Sequence, residues 1–390
     1  MRTHRYLIVG GGMTGHAAAA AIRERDPLGP LALLAGEPDR PYARPPLSKG
    51  LWLGKEEASI WLPEVPGLDL LLGCRAVALD TRRREVQTQD GETHGYEKLL
   101  LATGGRPRRL ATGGDRVVYL RTLADYRRLR AEPGRRVVVV GGGFIGSEIA
   151  AALAQAGKQV SLVFPESTLG ARVYPADLSA FVTRTFEERG VRLYPRDAVL
   201  AVEQRGPVAA VRLGSGQELE ADVVVAGLGI EAEDRLAAAA GIRCADGIVV
   251  DETLRTSAPG VWAAGDVARF PSEPLGGSVR VEHEDNALSQ GRAAGLAMAG
   301  SEAPYRHLPF FYSDLFDLGY EAVGRLDARL ETVVSWTRPF REGVVYYLDE
   351  GVVRGVLLWG VFGQVEAARA LVEGHRPVAR EQLLDAIHPQ

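Results

Sequence analysis

Two glycine-rich stretches with the same spacing lie in different parts of this chain, and glycine in this pattern is suited to holding a pyrophosphate. The first follows the apolar run Tyr6–Val9, and the second follows Val137–Val140. In a strand–turn–helix context, the first glycine permits a tight turn, the second lets backbone N–H groups approach the phosphates, and the third allows close helix–strand packing. The six glycines are Gly10, Gly12 and Gly15 in the first copy, and Gly141, Gly143 and Gly146 in the second.

An acidic residue follows each glycine motif at the spacing expected for a ribose-binding carboxylate. In such motifs the distance is roughly 20 residues, and Glu37 and Glu166 lie near it, each just past a second apolar run. A carboxylate in this position accepts hydrogen bonds from the adenosine ribose hydroxyls. One glycine motif alone is weak evidence. Two motifs with matching acidic residues predict two dinucleotides in one chain, and therefore electron transfer between them.

The elements around these motifs alternate between strand and helix. Residues 5–35 have the pattern of a βαβ unit, and the stretch from 112 to 245 repeats the plan, with the apolar run Val223–Ala226 near its end. Alternation of this kind predicts a parallel sheet flanked by helices. A further strand is expected just before Gly265 and Asp266.

Residues 36–50 contain several prolines and end next to Lys49. Proline excludes this segment from a helix interior or a central strand. A loop beyond the carboxyl end of a strand is where a doubly wound sheet binds its ligand. Because the chain has only four lysines, Lys49, Lys55, Lys98 and Lys158, we consider a chemical role for Lys49 beside the alternative of a solvated loop side chain.

Antiparallel patterns occur in two places. Residues 75–101 predict short antiparallel strands with a turn at Asp90-Gly91. In the last part of the chain, Val344–Leu348 and Val352–Trp359 flank Gly351 and predict a hairpin, with a helix from about residue 364. An antiparallel segment after two alternating units predicts an added domain.

Bulk composition excludes several functional classes. Hydrophobic residues make up 46% and charged residues 25% of the 390, as in ordinary globular proteins, and the net charge of −4 gives no basic footprint for nucleic acid. No apolar run reaches the roughly 18 residues needed to span a bilayer. The early first strand leaves no room for a targeting peptide, so we expect a cytoplasmic protein.

Cysteine and histidine form no recognisable site in the sequence. The two cysteines, Cys74 and Cys244, lie outside the glycine motifs and make no CxxC or CxxxxC pair. The histidines show neither an HExxH pattern nor cysteine-paired spacing, so we expect no metal site. We also expect that thiols take no part in the chemistry.

With these pieces located, the chain resembles the pyridine nucleotide–disulfide oxidoreductases, flavoprotein reductases with two dinucleotide-binding domains. Its segment Pro41–Lys49 looks like the signature of the branch without a redox disulfide, which includes the ferredoxin reductases of bacterial oxygenase systems and apoptosis-inducing factor. The resemblance covers nearly the whole chain. The motifs most similar to apoptosis-inducing factor are Tyr96–Lys98 before Ala102–Gly105, Phe164–Glu166, Val281–His283, and Ser313-Asp314 followed by Gly319–Glu321.

The resemblance implies FAD in the first domain, NADH rather than NADPH in the second, and a C-terminal domain that covers the flavin. The expected fold class is α/β, with two doubly wound dinucleotide-binding domains and a small α+β C-terminal domain. Residues 1–111 with 246–308 would bind FAD, 112–245 would bind NAD, and 309–390 would form the C-terminal domain. Glu37 departs from the family pattern because it stands about one place later than the usual ribose-binding acid.

The resemblance assigns catalytic roles to three residues. Lys49 would place a fixed cation near flavin N5 and O4 and stabilise the negative charge that develops on reduction. Glu148 would pair with Lys49 and reach the nicotinamide side, although an acid near the start of a helix is also favourable to the helix dipole. Phe144 would lie over the flavin and yield to the nicotinamide, unless it is a core residue.

The other cofactor-binding assignments are expectations of the same kind. Asp266, after Gly265, suits hydrogen bonds to ribityl hydroxyls, with an N-cap of a following helix as the alternative. Arg44 could neutralise the FAD pyrophosphate. His283, with Glu282, would lie against the flavin and nicotinamide unless it is an ordinary core histidine. The remaining assignments are Val77, Ala102, Thr103 and Gly104 for FAD, and Gly229 for NAD.

Two functions of different classes fit these residues. The first is an FAD-dependent NAD(P)H oxidoreductase, in which hydride passes from NADH to flavin N5 and electrons then go to a ferredoxin-type iron–sulfur protein or another acceptor. The second is a redox-sensing flavoprotein like apoptosis-inducing factor, whose NADH-reduced state controls partner binding. Arg106, Arg108 and Arg109 are a candidate docking patch for an acidic carrier, or simply a solvated face. The sequence leaves a monomer and a dimer equally open.

Overall fold

A computed structural model describes residues 2–387 of the chain. Residues 388–390, with which the expected C-terminal domain ends, lie outside the described residues. The helices are α1 Met13–Arg25, α2 Leu123–Ala131, α3 Phe144–Gln155, α4 Ala176–Glu188, α5 Arg235–Ala239, α6 Glu284–Met298, α7 Val365–Glu373 and α8 Arg380–Leu384. Short 3-10 turns span Pro45–Ser48, Gly50–Leu53, Glu57–Ile60, Gly114–Arg116 and Gly265–Val267.

The strands of the described residues are short, and many are rich in valine or leucine. The first fifteen are β1 Arg2–Val9, β2 Leu31–Leu34, β3 Leu68–Leu71, β4 Ala76–Asp80, β5 Glu85–Thr88, β6 Thr93–Leu101, β7 Gly105–Pro107, β8 Val117–Val118, β9 Arg136–Val140, β10 Gln159–Phe164, β11 Arg192–Pro195, β12 Val199–Arg205, β13 Val208–Leu213, β14 Glu218–Ala221 and β15 Val223–Ala226. The others are β16 Ile230–Ala232, β17 Ile248–Val249, β18 Val261–Ala263, β19 Ala268–Ser272, β20 Gly277–Val279, β21 Phe310–Leu315, β22 Leu318–Gly324, β23 Glu331–Arg338, β24 Glu342–Asp349 and β25 Val352–Trp359.

The chain divides into two compact units, each made of separate segments. The first unit consists of Met1–Ala43, Glu57–Arg106 and Glu231–Pro309. The second unit consists of Arg44–Glu56, Pro107–Ile230 and Phe310–Gln390. This division groups the expected NAD-binding and C-terminal segments together, and the expected three-domain boundaries stay a prediction.

The sheet of the first unit aligns several strand ends at one edge. Parallel strands β3, β2, β1 and β6 lie side by side, and β18 pairs with β6. Their register sets Val9 opposite both Leu34 and Leu101, and Leu101 opposite Ala263. The residues that follow these strands therefore meet at the same edge, where a doubly wound sheet binds its ligand. The expected antiparallel strands of residues 75–101 are present as β4, β5 and β6.

The second unit contains a parallel sheet in the order β11-β10-β9-β15-β8. The central strands are almost continuous runs of buried valine, a composition typical of parallel sheets covered on both faces. Val140 lies opposite Val163 and Ala226, so the second glycine motif also begins where neighbouring strands end.

The second unit also contains the antiparallel sheets β12-β13-β14 and β21-β22-β25-β24-β23. The five-stranded sheet is formed by the C-terminal part of the chain. The predicted hairpin is confirmed as β24 and β25, and the predicted helix begins at Val365. Fully buried aromatic side chains fill this sheet's core, among them Tyr320 and Trp359, whose rings stack at 5.6 Å. The fold class predicted from the sequence is thus confirmed. No helix within residues 2–387 is long and apolar enough to cross a membrane.

Candidate functional site

The first glycine motif folds into a turn that only glycine can make. Gly10 follows β1 with φ +122°, and a Cβ there would lie 2.1 Å from the carbonyl oxygen of Ala102. A Cβ on Gly15 would lie 2.0 Å from the Gly10 carbonyl oxygen, so α1 approaches the strand end closely. Gly12 is the N-cap of α1 and has no side chain to satisfy the first N–H groups of the helix. These N–H groups and the helix dipole form an anion-binding site.

The second motif repeats this geometry in the second unit. Gly141 has φ +104°, and a Cβ on Gly146 would lie 1.8 Å from the Gly141 carbonyl oxygen. Gly143, the N-cap of α3, differs because a Cβ there would meet no atom within 4 Å. Protein packing therefore does not require glycine at this position, whereas close approach of a phosphate to the backbone does.

A buried glutamine in the first unit completes the surroundings of the first motif. Gln290 of α6 accepts a hydrogen bond from the backbone N–H of Gly265 at 2.8 Å, and a Cβ on Gly265 would lie 2.2 Å from the Thr14 hydroxyl. The Gln290 Nε2 is buried and has no hydrogen-bond partner among the described residues. Buried donors normally have partners, so this amide fits a site that holds a polar group such as FAD. No pattern in the sequence indicated a role for Gln290.

The segment after β6 is tied to the backbone of its neighbours. Ala102 donates to Val9 at 2.8 Å. The Thr103 hydroxyl donates to the carbonyl of Glu233 at 2.7 Å, and Gly104 accepts from the Glu233 N–H at 2.9 Å. Ala102 thereby joins the edge at which Gly10 lies. The role of Ala102, Thr103 and Gly104 in FAD binding stays a prediction.

Asp266 does not cap a helix, which corrects the alternative considered from the sequence. It lies in the 3-10 turn Gly265–Val267, and strand β19 follows directly. The neighbouring Arg280 donates to the Asp266 carbonyl at 3.1 Å and pairs with Glu282 at 2.7 Å. His283 is the N-cap of α6, and burial lowers the pKa of its imidazole to about 4. This side chain is therefore neutral at pH 7.

Glu37 and Val77 are two further candidate FAD-binding residues of the first unit. The Tyr42 hydroxyl donates to the Glu37 carboxylate at 2.6 Å, which fixes that carboxylate just past β2. Val77 is 52% exposed and lies at an irregularity in the pairing of β4 with β5. Its exposure leaves its side chain accessible to a ligand.

In the second unit, Lys49 and Glu148 form a close ion pair. The Lys49 Nζ lies 2.5 Å from Glu148 Oε1, and Glu148 is only 4% exposed. The Ser48 hydroxyl donates to Glu148 Oε2 at 2.8 Å, and the Ser313 hydroxyl donates to Oε1 at 2.6 Å. The contact between Lys49 and Glu148 agrees with the pairing that the resemblance implied. The two serines were not predicted to take part.

Aromatic side chains lie next to this pair. Lys49 Nζ lies 4.6 Å from the centre of the Tyr312 ring, within the range of a cation–π contact. Phe144, the first residue of α3, is 40% exposed and its ring centre lies 5.2 Å from that of Phe311. Phe144 is thus only partly packed against protein, which disfavours a pure core role.

The acidic residue that follows the second glycine motif has a counter-ion. Glu166 pairs with Arg172 at 2.6 Å, and the side chain of Arg172 is 78% exposed. Gly229 has φ +80° and a Cβ there would meet nothing within 4 Å. Its carbonyl accepts from the N–H of Arg108 at 3.0 Å.

Several arginines named from the sequence are engaged within the protein. Arg44 belongs to the second unit and donates to the carbonyl of Arg121 at 2.6 Å. Arg106 pairs with Glu231 at 2.7 Å and with Glu233 at 3.5 Å. These carboxylates offset the charge of Arg106, so the candidate docking patch is less positive than the sequence suggests. Arg109 lies 4.9 Å from the Tyr119 ring.

Burial raises the pKa of both thiols, which disfavours the reactive thiolate form. Cys74 is buried, Cys244 is half-buried, and neither is in a disulfide. No cluster of metal-ligating side chains occurs in the part of the chain that the structure describes.

Two Rossmann-type units, each with a glycine cradle, define a dinucleotide-dependent oxidoreductase. Residues 4–291 match the family model of the pyridine nucleotide-disulphide oxidoreductases, and residues 294–340 match that of the C-terminal domain of mitochondrion-associated apoptosis-inducing factor. The chain belongs to the pyridine nucleotide-disulphide oxidoreductase family. It is therefore a flavoprotein oxidoreductase, and the family implies FAD and NAD(P)H as cofactors.

Relatives that align over almost their full length are more specific than the family models. The chain is 36% identical over 398 residues to the ferredoxin–NAD(+) reductase component of the anthranilate 1,2-dioxygenase system of Burkholderia cepacia, covering 99% of this chain and 98% of the relative. The ferredoxin reductase of the CYP199A2 system of Rhodopseudomonas palustris superposes with a TM-score of 0.91 at 31% identity, with 99% of each chain covered. The reductase in a covalent putidaredoxin reductase–putidaredoxin complex gives a TM-score of 0.89 at 30% identity, covering 98% and 96% of the chains.

The thiols are expected to be dispensable for reduction of the flavin. Replacing both Cys74 and Cys244 by Ser should leave NADH-driven dye reduction within about twofold of the parent, because neither thiol is activated or paired. FAD content measured in the same samples controls for misfolding, with the double Ala variant as a second control. Loss of dye reduction in a variant that keeps its FAD would contradict this expectation.

Proposed function

We propose that the protein is an NADH-dependent ferredoxin reductase that passes electrons from NADH through FAD to a small iron–sulfur protein. The observation that carries the proposal is the buried Lys49–Glu148 pair, in which Glu148 lies on the first turn of α3, just after the second glycine motif. Neither residue forms a hydrogen bond with a cysteine in the part of the chain that the structure describes. Bound FAD would supply the exchange between a two-electron donor and a one-electron acceptor. The residues of this chain supply binding, orientation and electrostatics.

The first unit contains the residues that would hold FAD. The N–H groups at the start of α1 suit the pyrophosphate, and Glu37 suits the adenosine ribose. Gln290 offers a buried amide donor, and Asp266 a carboxylate close in sequence to Gly265. A neutral His283 can donate or accept one hydrogen bond without adding charge.

The second unit contains the residues that would act on the reacting groups. Lys49 is only 12% exposed and is oriented by Glu148, so its ammonium keeps a fixed position. A preorganised cation costs no reorganisation when negative charge develops beside it. Phe144, partly exposed at the start of α3, is suited to cover the ring system until the nicotinamide arrives.

Lys49→Ala tests this role directly. Flavin reduction by NADH should slow roughly 10²-fold, or about 3 kcal/mol, the usual loss for one preorganised electrostatic contact, and the flavin potential should fall. Stopped-flow reduction and a potential titration measure the two effects. Lys55→Ala removes an exposed lysine of the same segment and should change neither.

Because Lys49→Ala leaves Glu148 buried without its counter-ion, the variant can lose stability. The double variant Lys49→Ala/Glu148→Gln removes both charges and separates stability from rate. Normal reduction rates in both variants would show that Lys49 does not act on the flavin.

We propose NADH as the preferred nucleotide. The Glu166 carboxylate can accept hydrogen bonds from the adenosine ribose hydroxyls and repels a 2′-phosphate. Arg172 offsets part of that charge, because its guanidinium lies 2.6 Å from Glu166. The names of the ferredoxin–NAD(+) reductase relatives support the same preference.

Two opposite substitutions test the nucleotide assignment. Glu166→Ala should narrow the ratio of kcat/KM for NADH over NADPH, since the repulsion is lost. Arg172→Ala should raise this NADH-over-NADPH ratio, because the negative charge of Glu166 is then no longer offset by a guanidinium. Arg205→Ala, which removes a similar exposed pair with Glu218 at 2.6 Å, is the matched control. Equal or better efficiency of the unaltered protein with NADPH would overturn the assignment.

The proposed electron acceptor is a ferredoxin-type iron–sulfur protein. Support comes from the relatives, which are named as ferredoxin reductases, and from one that forms a complex with putidaredoxin. The alternative is a redox sensor, favoured by the match of residues 294–340 to the apoptosis-inducing factor C-terminal domain. We propose a cytoplasmic location for either function.

Acceptor kinetics distinguish these two functions. A reductase should reduce cytochrome c rapidly through an added ferredoxin, and this rate should fall as salt rises if opposite charges steer the encounter. Direct reduction of a small dye should not respond to salt. Charge reversal at Arg106, Arg108 and Arg109 tests that patch. If no ferredoxin or rubredoxin raises turnover above the rate with oxygen alone, the sensor function becomes the better explanation.

A further inference from the structure

Three consecutive residues of one edge strand contact the Lys49–Glu148 pair. Strand β21 lies at the edge of the C-terminal sheet and contains Tyr312, Ser313 and Asp314. Tyr312 lies under the ammonium, Ser313 donates to Glu148 at 2.6 Å, and the Asp314 Oδ2 lies 3.9 Å from Lys49 Nζ. The C-terminal sheet therefore supplies contacts to both residues of the ion pair.

Lys49 lies between two carboxylates with different surroundings. Glu148 is 4% exposed, whereas the side chain of Asp314 is 57% exposed. An exposed ion pair is hydrated and screened by salt, and it gains little. A buried pair is screened far less, but it is favourable only when additional hydrogen bonds satisfy the carboxylate. Whether Lys49 pairs with Glu148 or with Asp314 therefore depends on the hydrogen bonds that fix the Glu148 carboxylate.

The two serines supply those hydrogen bonds from separate parts of the chain. Ser48 also lies 3.4 Å from the Pro45 carbonyl, so it has a second possible acceptor. Ser313 is 1% exposed, and Glu148 is its close acceptor at 2.6 Å. The buried Tyr320 hydroxyl interacts with the side chains of Ser313 and Tyr174, so Ser313 lies between this hydroxyl and Glu148. Hydrogen bonds to an ionised acceptor are stronger than hydrogen bonds between neutral groups.

We propose that Ser313 is a positioning residue that fixes Glu148 and thereby keeps Lys49 paired with Glu148 rather than with Asp314. This inference rests on the proposed role of Lys49 beside the flavin. With Ser313 in place, the ammonium is held by a buried partner and its position is insensitive to salt. Without Ser313, the ammonium would be shared with an exposed carboxylate, and its position would depend on ionic strength.

The test uses the FAD-loaded protein, four serine variants, and Lys49→Arg and Lys49→Ala as references. Ser313→Ala removes the hydroxyl, Ser313→Thr keeps it, and Ser313→Ala/Asp314→Asn also removes the competing carboxylate. Ser335→Ala is the matched control, because Ser335 lies on β23, the opposite edge of the same sheet, and donates to the Leu384 carbonyl at 3.1 Å. FAD content and thermal unfolding show whether each variant is folded.

Two measurements report on the Lys49 ammonium group and on the flavin potential. With only four lysines in the chain, ¹⁵N-lysine labelling gives few side-chain ammonium signals, and the signal missing from Lys49→Arg identifies Lys49. The flavin potential is measured at low and high salt. A loss of one hydrogen bond to a charged group is expected to change the reduction equilibrium about tenfold, or about 30 mV for a two-electron couple.

Ser313→Ala should broaden or shift the Lys49 signal and make the flavin potential depend on salt. Ser313→Thr and Ser335→Ala should behave as the parent, and adding Asp314→Asn should abolish the salt dependence. An unchanged Lys49 signal and an unchanged salt response in Ser313→Ala would overturn the inference. If Lys49→Ala also leaves the potential unchanged, the proposed role of Lys49 fails instead.

Discussion

The ionised Glu148 carboxylate, buried inside the second unit, is the constraint on which the rest of that unit depends. A buried charge is costly unless it is paired and hydrogen-bonded, and removing one partner of such a pair typically costs about 3–5 kcal/mol. Three donors meet this need, and they come from the proline-rich loop and from β21. Helix α3, which carries Glu148, must therefore keep both of these segments in place. The burial of one charge thus brings together the residues that we propose to act on the flavin.

A second constraint is the closeness of helix to strand in each nucleotide motif. At Gly15 and Gly146 any side chain would overlap a backbone oxygen, so the fold alone requires glycine there. At Gly143 nothing stands near the missing Cβ. Packing and ligand binding therefore select glycine for different reasons within one motif. The motif identifies a fold and a phosphate site together because both demands fall within a few residues.

The sequence predicted the elements better than the contacts of the site. Both glycine motifs, the parallel sheets and the C-terminal hairpin follow from local patterns, and the contact between Lys49 and Glu148 followed from a resemblance. The roles of Ser313 and Gln290 could not be predicted, because a side-chain hydrogen bond between distant segments leaves no periodic signal. The N-cap alternative for Asp266 was wrong because Asp266 lies inside a 3-10 turn that leads directly into a strand. The sequence left the arginine run open as a docking patch or a solvated face, because the ion-pair partners of Arg106, Glu231 and Glu233, lie far along the chain.

The C-terminal sheet is more than a cover for a site built elsewhere. In the absence of β21, Glu148 would keep Lys49 and Ser48, but it would lose the Ser313 hydrogen bond and the ammonium would lose the Tyr312 ring. Both thiols of the chain have raised pKa values and take no part in a disulfide. Fixed charges and oriented hydroxyls are then the means by which this protein can tune a bound flavin. Because Tyr312, Ser313 and Asp314 of one edge strand all contact the Lys49–Glu148 pair, the C-terminal sheet is part of the redox site that we propose for the second unit.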